Sequence, residues 1–271
     1  MLPNLIKDRE GLAASGGVPL APLWATAGMV VLLVSRVFAG RLQGFAMTSS
    51  VPRPSIYLTQ MIGIWTLLGC AVATIYQRRA FFSRTLQHRA RPWPAEAARG
   101  IAILLSLFGL AALVTILFHL GMKHLPGLHL ERLSADAEAL NRRLHVVPGV
   151  VKALVPQTAW QLVLWAGVSF SAAFCEEHLF RGYLLPQCMA ALRRWQVSAS
   201  MARTLAILLT SLLFGMLHLY EGVGGVLAII VLALVYALAA LRFGNLRAVI
   251  VAHFLQDFLA GLFAFMTQHA K

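Results

Sequence analysis

Only ten of the 271 residues are acidic, and Glu176, Glu177 and Asp257 sit inside long apolar stretches. A charged side chain at the centre of a membrane helix costs ~2.5–3.5 kcal/mol on insertion scales, so each of the three needs a partner or a use. Glu177 and Arg181 are four residues apart, which puts them on one helical face with the acid nearer the amino end, the favourable order for an ion pair. They read as a buried pair that supports the helix. Glu176, one position earlier, points about 100° away and has no local counter-ion, so it is the carboxylate free for chemistry. Two imidazoles follow, His218 in Phe214-Gly-Met-Leu-His218 and His253 in His253-Phe-Leu-Gln-Asp257. His253 and Asp257 are again co-facial, as suits a carboxylate that orients an imidazole or a pair that jointly addresses a substrate. A Glu, two His and an Asp brought to one dry interior by three helices supply water activation and oxyanion stabilisation. His178, turned away from Glu176, and His119, near a span end, read as structural. Cys175 has no thiolate-stabilising pattern beside it.

The elements that must position these residues follow from composition. The chain is 59% hydrophobic and 12% charged, with a mean hydropathy of +0.74. A soluble domain carries roughly 25% charge, and the short alternating segments of a β-barrel are missing. The expected fold is therefore all-α, a polytopic membrane bundle whose helices satisfy their own backbone groups. Seven stretches are long enough to span: approximately Leu20–Phe38, Ser55–Gln77, Gly100–Met122, Thr158–Leu185, Thr204–Leu219, Gly224–Leu241 and Leu246–Met266. Between Lys123 and Gln157, Leu128, Leu130, Leu133, Ala137, Leu140 and Leu144 recur at helical spacing among charges. That pattern predicts an amphipathic surface helix, with an eighth span as the alternative, followed by a break at Pro148-Gly149. Two regions result, residues 1–157 with the first helices and the surface segment, and 158–271 as a catalytic core.

The net charge of +13 comes from arginines between apolar stretches rather than from one basic face, so it reads as a topology signal and excludes nucleic acid as the partner. Lys7 and Arg9, the Arg78 to Arg99 loop, Arg193, Arg194 and Arg203, and Arg242 and Arg247 fall on one side, expected to be cytoplasmic together with the amino terminus. The first stretch lacks a small-residue cleavage pattern and reads as a helix rather than a signal peptide. Cys70, Cys175 and Cys188 have no metal spacing and read as small core residues. His253 lies about 10 Å into its span and His218 about 21 Å into its own. These depths disagree unless the fifth span starts further along or tilts.

Taken in order, Glu176-Glu177-His-Leu-Phe-Arg181, Phe214 to His218 and His253 to Asp257 resemble the signature of the CAAX-prenyl-protease and bacteriocin-processing (CPBP) family, including its Abi-like members. The resemblance extends to Arg181-Gly182-Tyr183-Leu184 and to the Leu241-Arg-Phe-Gly-Asn-Leu246 turn, and covers about 100 residues near Phe170 to Leu262. It implies a glutamate-type intramembrane endopeptidase. Eukaryotic members trim prenylated CAAX proteins, while bacterial relatives process other membrane-associated peptides or protect against bacteriocins. By the same resemblance Glu176 is the general base, assisted by His218. His253 and Asp257 stabilise the oxyanion, and Glu177 and Arg181 support the site. An ionised Asp257 would repel an oxyanion, so it acts neutral, orients His253 or binds a cation.

No cofactor is expected; the alternative is zinc held by Glu176, His218 and His253, although an HExxH helix is missing. A different class, a proton-coupled transporter or a non-catalytic immunity or scaffold protein, could also place Glu and His inside helices, but inverted repeats are not evident. The expected surroundings are a lipid bilayer, a bacterial cytoplasmic membrane, with a membrane-associated peptide or protein as substrate.

Overall fold

The computed structural model of the protein describes residues 19–47, 51–124, 130–143 and 154–269. Among them every regular element is helical, as expected of chain whose backbone cannot hydrogen-bond to lipid. Helix α1 is Leu23–Met47, α2 Arg53–Thr74, α3 Arg78–Gln87, α4 Trp93–His124 and α5 Leu130–Arg143. Helix α6, Ala159–Glu177, runs through a π-helical turn, His178–Leu184, into α7, Leu185–Arg194. Then come α8, Ala199–Leu217, a short 3-10 turn, Leu219–Glu221, α9, Gly222–Phe243, and α10, Arg247–His269.

Five helices among the described residues, α2, α4, α8, α9 with its preceding turn, and α10, are long and apolar enough to cross a membrane, and the protein is multi-pass. The other two expected spans are also helical but differ in character. In α1 the apolar stretch is Leu23–Ser35. Helix α6 is 19 residues long, and Gln161, Ser169, Ser171, Glu176 and Glu177 dilute its apolar content because its inner face carries the polar site. Its helical path also continues past Leu185 to Arg194. Pro186 explains the widened turn on the way: it has no N–H to donate and its ring crowds the carbonyl four residues back, so the regular ladder cannot pass through it.

The amphipathic helix appears as α5, and Asn141 Oδ1 accepts from the Val223 amide at 2.8 Å, docking α5 on the start of α9. Leu128, Leu144 and the Pro148-Gly149 break lie outside the described residues. Helix α3 was not anticipated, since its segment reads as a basic loop. Its Phe81 and Thr85 are buried, and Phe82 stacks near Phe174 and His178, so a local helix with one apolar edge fits against the π turn. Cys70 is exposed on α2 rather than in the core, whereas Cys175 is buried.

Contacts gather the basic loops at one end of the bundle. The Tyr76 amide donates to Leu20 O at 3.0 Å, and the Leu246 amide donates to Thr85 O at 2.7 Å. Arg247 Nη1 donates to Arg91 O at 3.3 Å. Outward faces are apolar: only 6% of the apolar window of α4 is buried, with Leu105, Leu113 and Leu117 exposed as lipid contacts. Small residues let helices approach, as at Gly215, where a Cβ would lie 2.4 Å from Ile230 Cγ1.

Gln187, fully buried, ties α7 to the start of α1. Its Oε1 accepts from the Leu20 amide at 2.6 Å and its Nε2 donates to Ala21 O at 3.0 Å. Gln187→Leu should cost about 1–3 kcal/mol through the orphaned backbone groups, read as a lower unfolding temperature of the purified protein in detergent.

Candidate active site

Three helix boundaries set the site. Thr158 caps α6, its hydroxyl accepting from the Gln161 amide at 3.2 Å, and Ser198 caps α8 in the same way. Between α9 and α10 the chain reverses at Gly244, whose φ of 73° a side chain would disfavour. Asn245 Oδ1 then accepts from the Arg247 amide at 3.0 Å and starts α10. His253 thereby lies within two turns of that end.

At the centre is Glu177, with no exposed side-chain surface. Its Oε1 accepts from Arg181 Nη1 at 3.0 Å and from His253 Nδ1 at 2.8 Å. Arg181 Nη2 donates to the Ala233 carbonyl on α9 at 3.0 Å. The guanidinium lies over the rings of Phe214, at 4.7 Å, and Tyr236, at 5.7 Å. The expected pair is present, and it does more than stiffen one helix: it joins α6, α8, α9 and α10.

With Nδ1 occupied, His253 turns Nε2 toward the other two carboxylates, Asp257 Oδ2 at 3.4 Å and Glu176 Oε2 at 4.0 Å. Glu176 and Asp257 keep 20% and 29% of their side-chain surface exposed, against 6% for His253. The cluster is thus closed behind His253 and open in front of it. The Nδ1 of His253 is held by a carboxylate from another helix. That carboxylate is Glu177, and Asp257 faces the same nitrogen as Glu176.

His218 is the residue after α8 and is half-buried. Its Nδ1 lies 2.8 Å from Phe214 O, so Nδ1–H donates and Nε2 carries the lone pair of the neutral ring. The Phe214 ring lies 4.9 Å from the His218 ring and 6.2 Å from that of His253, placing both imidazoles beside one aromatic side chain. The depth mismatch is not removed by a later helix start, because α8 begins earlier, at Ala199. His178 is separate, buried with Nδ1 on Phe174 O at 2.7 Å and packed by Phe81, Phe82 and Phe174.

Zinc binding needs at least three converging donors, and among the described residues no three His, Cys, Asp or Glu side chains are grouped to hold a metal ion.

Reading the sequence missed the residues packed around the cluster. Tyr236 is buried, lies 5.8 Å from the His253 ring, and its hydroxyl donates to Gln256 Oε1 at 3.0 Å. Trp165 Nε1 donates to the Asp257 carbonyl at 3.0 Å. A Cβ on Gly261 would come within 2.1 Å of that same nitrogen. The available signals were a lone tyrosine in the apolar run of α9 and a glycine one turn beyond Asp257. Gly261→Val should separate α6 from α10, lowering the unfolding temperature and any activity together. Gly224→Ala, with nothing within 4 Å, should change neither.

No curated protein and no solved structure matches the chain. A family match covers the three motifs: residues 158–259 are similar to the family described as type II CAAX prenyl endopeptidase Rce1-like.

Proposed function

We propose that the protein is an intramembrane endopeptidase that hydrolyses a membrane-proximal peptide bond with water activated by Glu176 and His218. The observation that carries this reading is the separation of two adjacent carboxylates into different tasks. Glu177 is committed to Arg181 and His253, while Glu176 stays uncommitted and partly open 4.0 Å from the same imidazole. A base needs the second arrangement and an orienting group needs the first.

In the reaction, Glu176 takes a proton from water as the water oxygen bonds to the peptide carbonyl carbon, and the lone pair on His218 Nε2 assists by holding the second water hydrogen. The tetrahedral oxyanion is met by His253 and Asp257. Because Nδ1–H of His253 is given to Glu177, the ring donates through Nε2 only when it carries both protons. A neutral Asp257 donates its own O–H, as an Asn would donate N–H. Glu176 then returns its proton to the leaving nitrogen and the C–N bond breaks.

The Rce1-like match and the apolar helices support a peptide or protein substrate held at the bilayer. We place the basic end of the bundle and the amino terminus in the cytoplasm by the arginine bias, and the source membrane as bacterial. A zinc-dependent version stays as the alternative that the chelator experiment separates, and nucleic acid remains outside the reading.

Glu176→Ala should lower cleavage by about 10²–10⁴-fold, the usual worth of a general base, and should leave the membrane peptidome of expressing cells like that of cells without the protein. An unchanged phenotype would favour the scaffold or transporter class. Asp257→Asn should retain substantial activity. Complete loss in a folded Asp257→Asn protein would point to a charged or cation-binding role. Incubation with a chelator should leave the rate unchanged, whereas loss restored by added zinc would return the metal reading.

A further inference from the structure

At the basic end of the bundle, sharing no residue with the cluster around His253 and Glu176, a cavity of ≈ 360 Å³ opens between the start of α1 and the end of α7. Pro19, Leu23, Ala190, Arg193 and Arg194 line it. Its lining pairs apolar Pro19, Leu23 and Ala190 with two guanidiniums, and among the described residues none of the lining is acidic. Arg193 commits Nη1 to the Val197 carbonyl at 3.0 Å, which fixes that side chain at the rim.

The depth of the cavity is marked independently by aromatic rings. Trp24 follows Leu23, Trp195 follows Arg194, and both are 76% exposed. Tyr76, whose amide bonds to Leu20, is 67% exposed at the same end. Exposed Trp and Tyr collect where hydrocarbon meets headgroups, since their rings are apolar and their N–H or O–H is polar. Two arginines at that level suit phosphate oxygens, and Leu23 and Ala190 beside them suit the first methylenes of an acyl chain.

We infer that this cavity is a binding site for the phosphate of an anionic phospholipid, held by Arg193 and Arg194 between α1 and α7. Guanidinium suits the task because its planar fork takes phosphate oxygens in pairs, and basic pockets between helices on an anionic leaflet select such headgroups. The site is distinct from the hydrolytic cluster and does not depend on its chemistry.

The test uses the full-length protein in nanodiscs or detergent, with native mass spectrometry of bound lipid after addition of phosphatidylglycerol, phosphatidylcholine or inorganic phosphate. Phosphatidylglycerol should be retained in preference to phosphatidylcholine. Its affinity should fall about tenfold or more in R193Q/R194Q, because each arginine near an anionic surface contributes additively. R193K/R194K should recover part of the loss. R203Q, a basic change outside the cavity, should leave retention unchanged and controls for general charge. Circular dichroism and monodispersity confirm that the double variant is folded; if it is not, Arg194→Gln alone gives the reading. Equal retention of the two lipids, or indifference to both Arg193 and Arg194 changes, overturns the site. Displacement of the lipid by millimolar phosphate overturns the lipid assignment in favour of a soluble anion.

Discussion

A carboxylate buried in a bundle bathed by lipid has nowhere to send its charge except to groups the protein itself provides, and Glu177 draws those groups from several helices. Arg181 comes from its own helical path and His253 from α10, while the guanidinium passes the connection on to the α9 backbone at Ala233 and to the faces of Phe214 and Tyr236. Removing one member of such a set would strand a buried charge, at about 3–5 kcal/mol. The relative placement of α6, α8, α9 and α10 therefore depends on this one oxygen atom. The same bond decides which way the His253 ring faces, so stability and reactivity share a cause.

The rest of the bundle makes that arrangement stiff. Lipid is as apolar as leucine, so helices here gain little from hiding apolar surface and depend on close fit and on internal hydrogen bonds. Gly261 lets Trp165 reach the Asp257 carbonyl, and Gly215 lets α8 and α9 close together. The π turn before Pro186 serves the same end by carrying α6 into α7 with Gln187 turned inward to hold α1. Widened turns of this type are frequent beside functional sites. Here one lies immediately after the paired carboxylates, where a small change of helical phase decides what each of them faces.

The polar residues of the bundle thereby fall into two groups. Around His253 a few polar groups from three helices lie close to one another near helix ends, shielded behind and open in front. At the basic end, arginines lie beside exposed aromatic rings, and the outer surfaces of α4 and its neighbours are apolar.

The membrane class was legible from residue types alone, because few structures other than a helical bundle can hold so apolar a chain. The Glu177–Arg181 pair was legible because spacing of four fixes a shared helical face. Co-facial spacing also put Asp257 beside His253, but spacing within a helix says nothing of which ring nitrogen a neighbour on another helix will claim. That was decided by the packing of α6 on α10, which gives Nδ1 to Glu177 and leaves Nε2 to Glu176 and Asp257. Helix α3 and the roles of Trp165, Tyr236 and Gly261 were hidden for the same reason. Their contacts join residues far apart in sequence, and only tertiary structure brings those residues within bonding distance. The sequence by itself determined that polar groups enter the membrane on three helices; the fold decided what each of them touches.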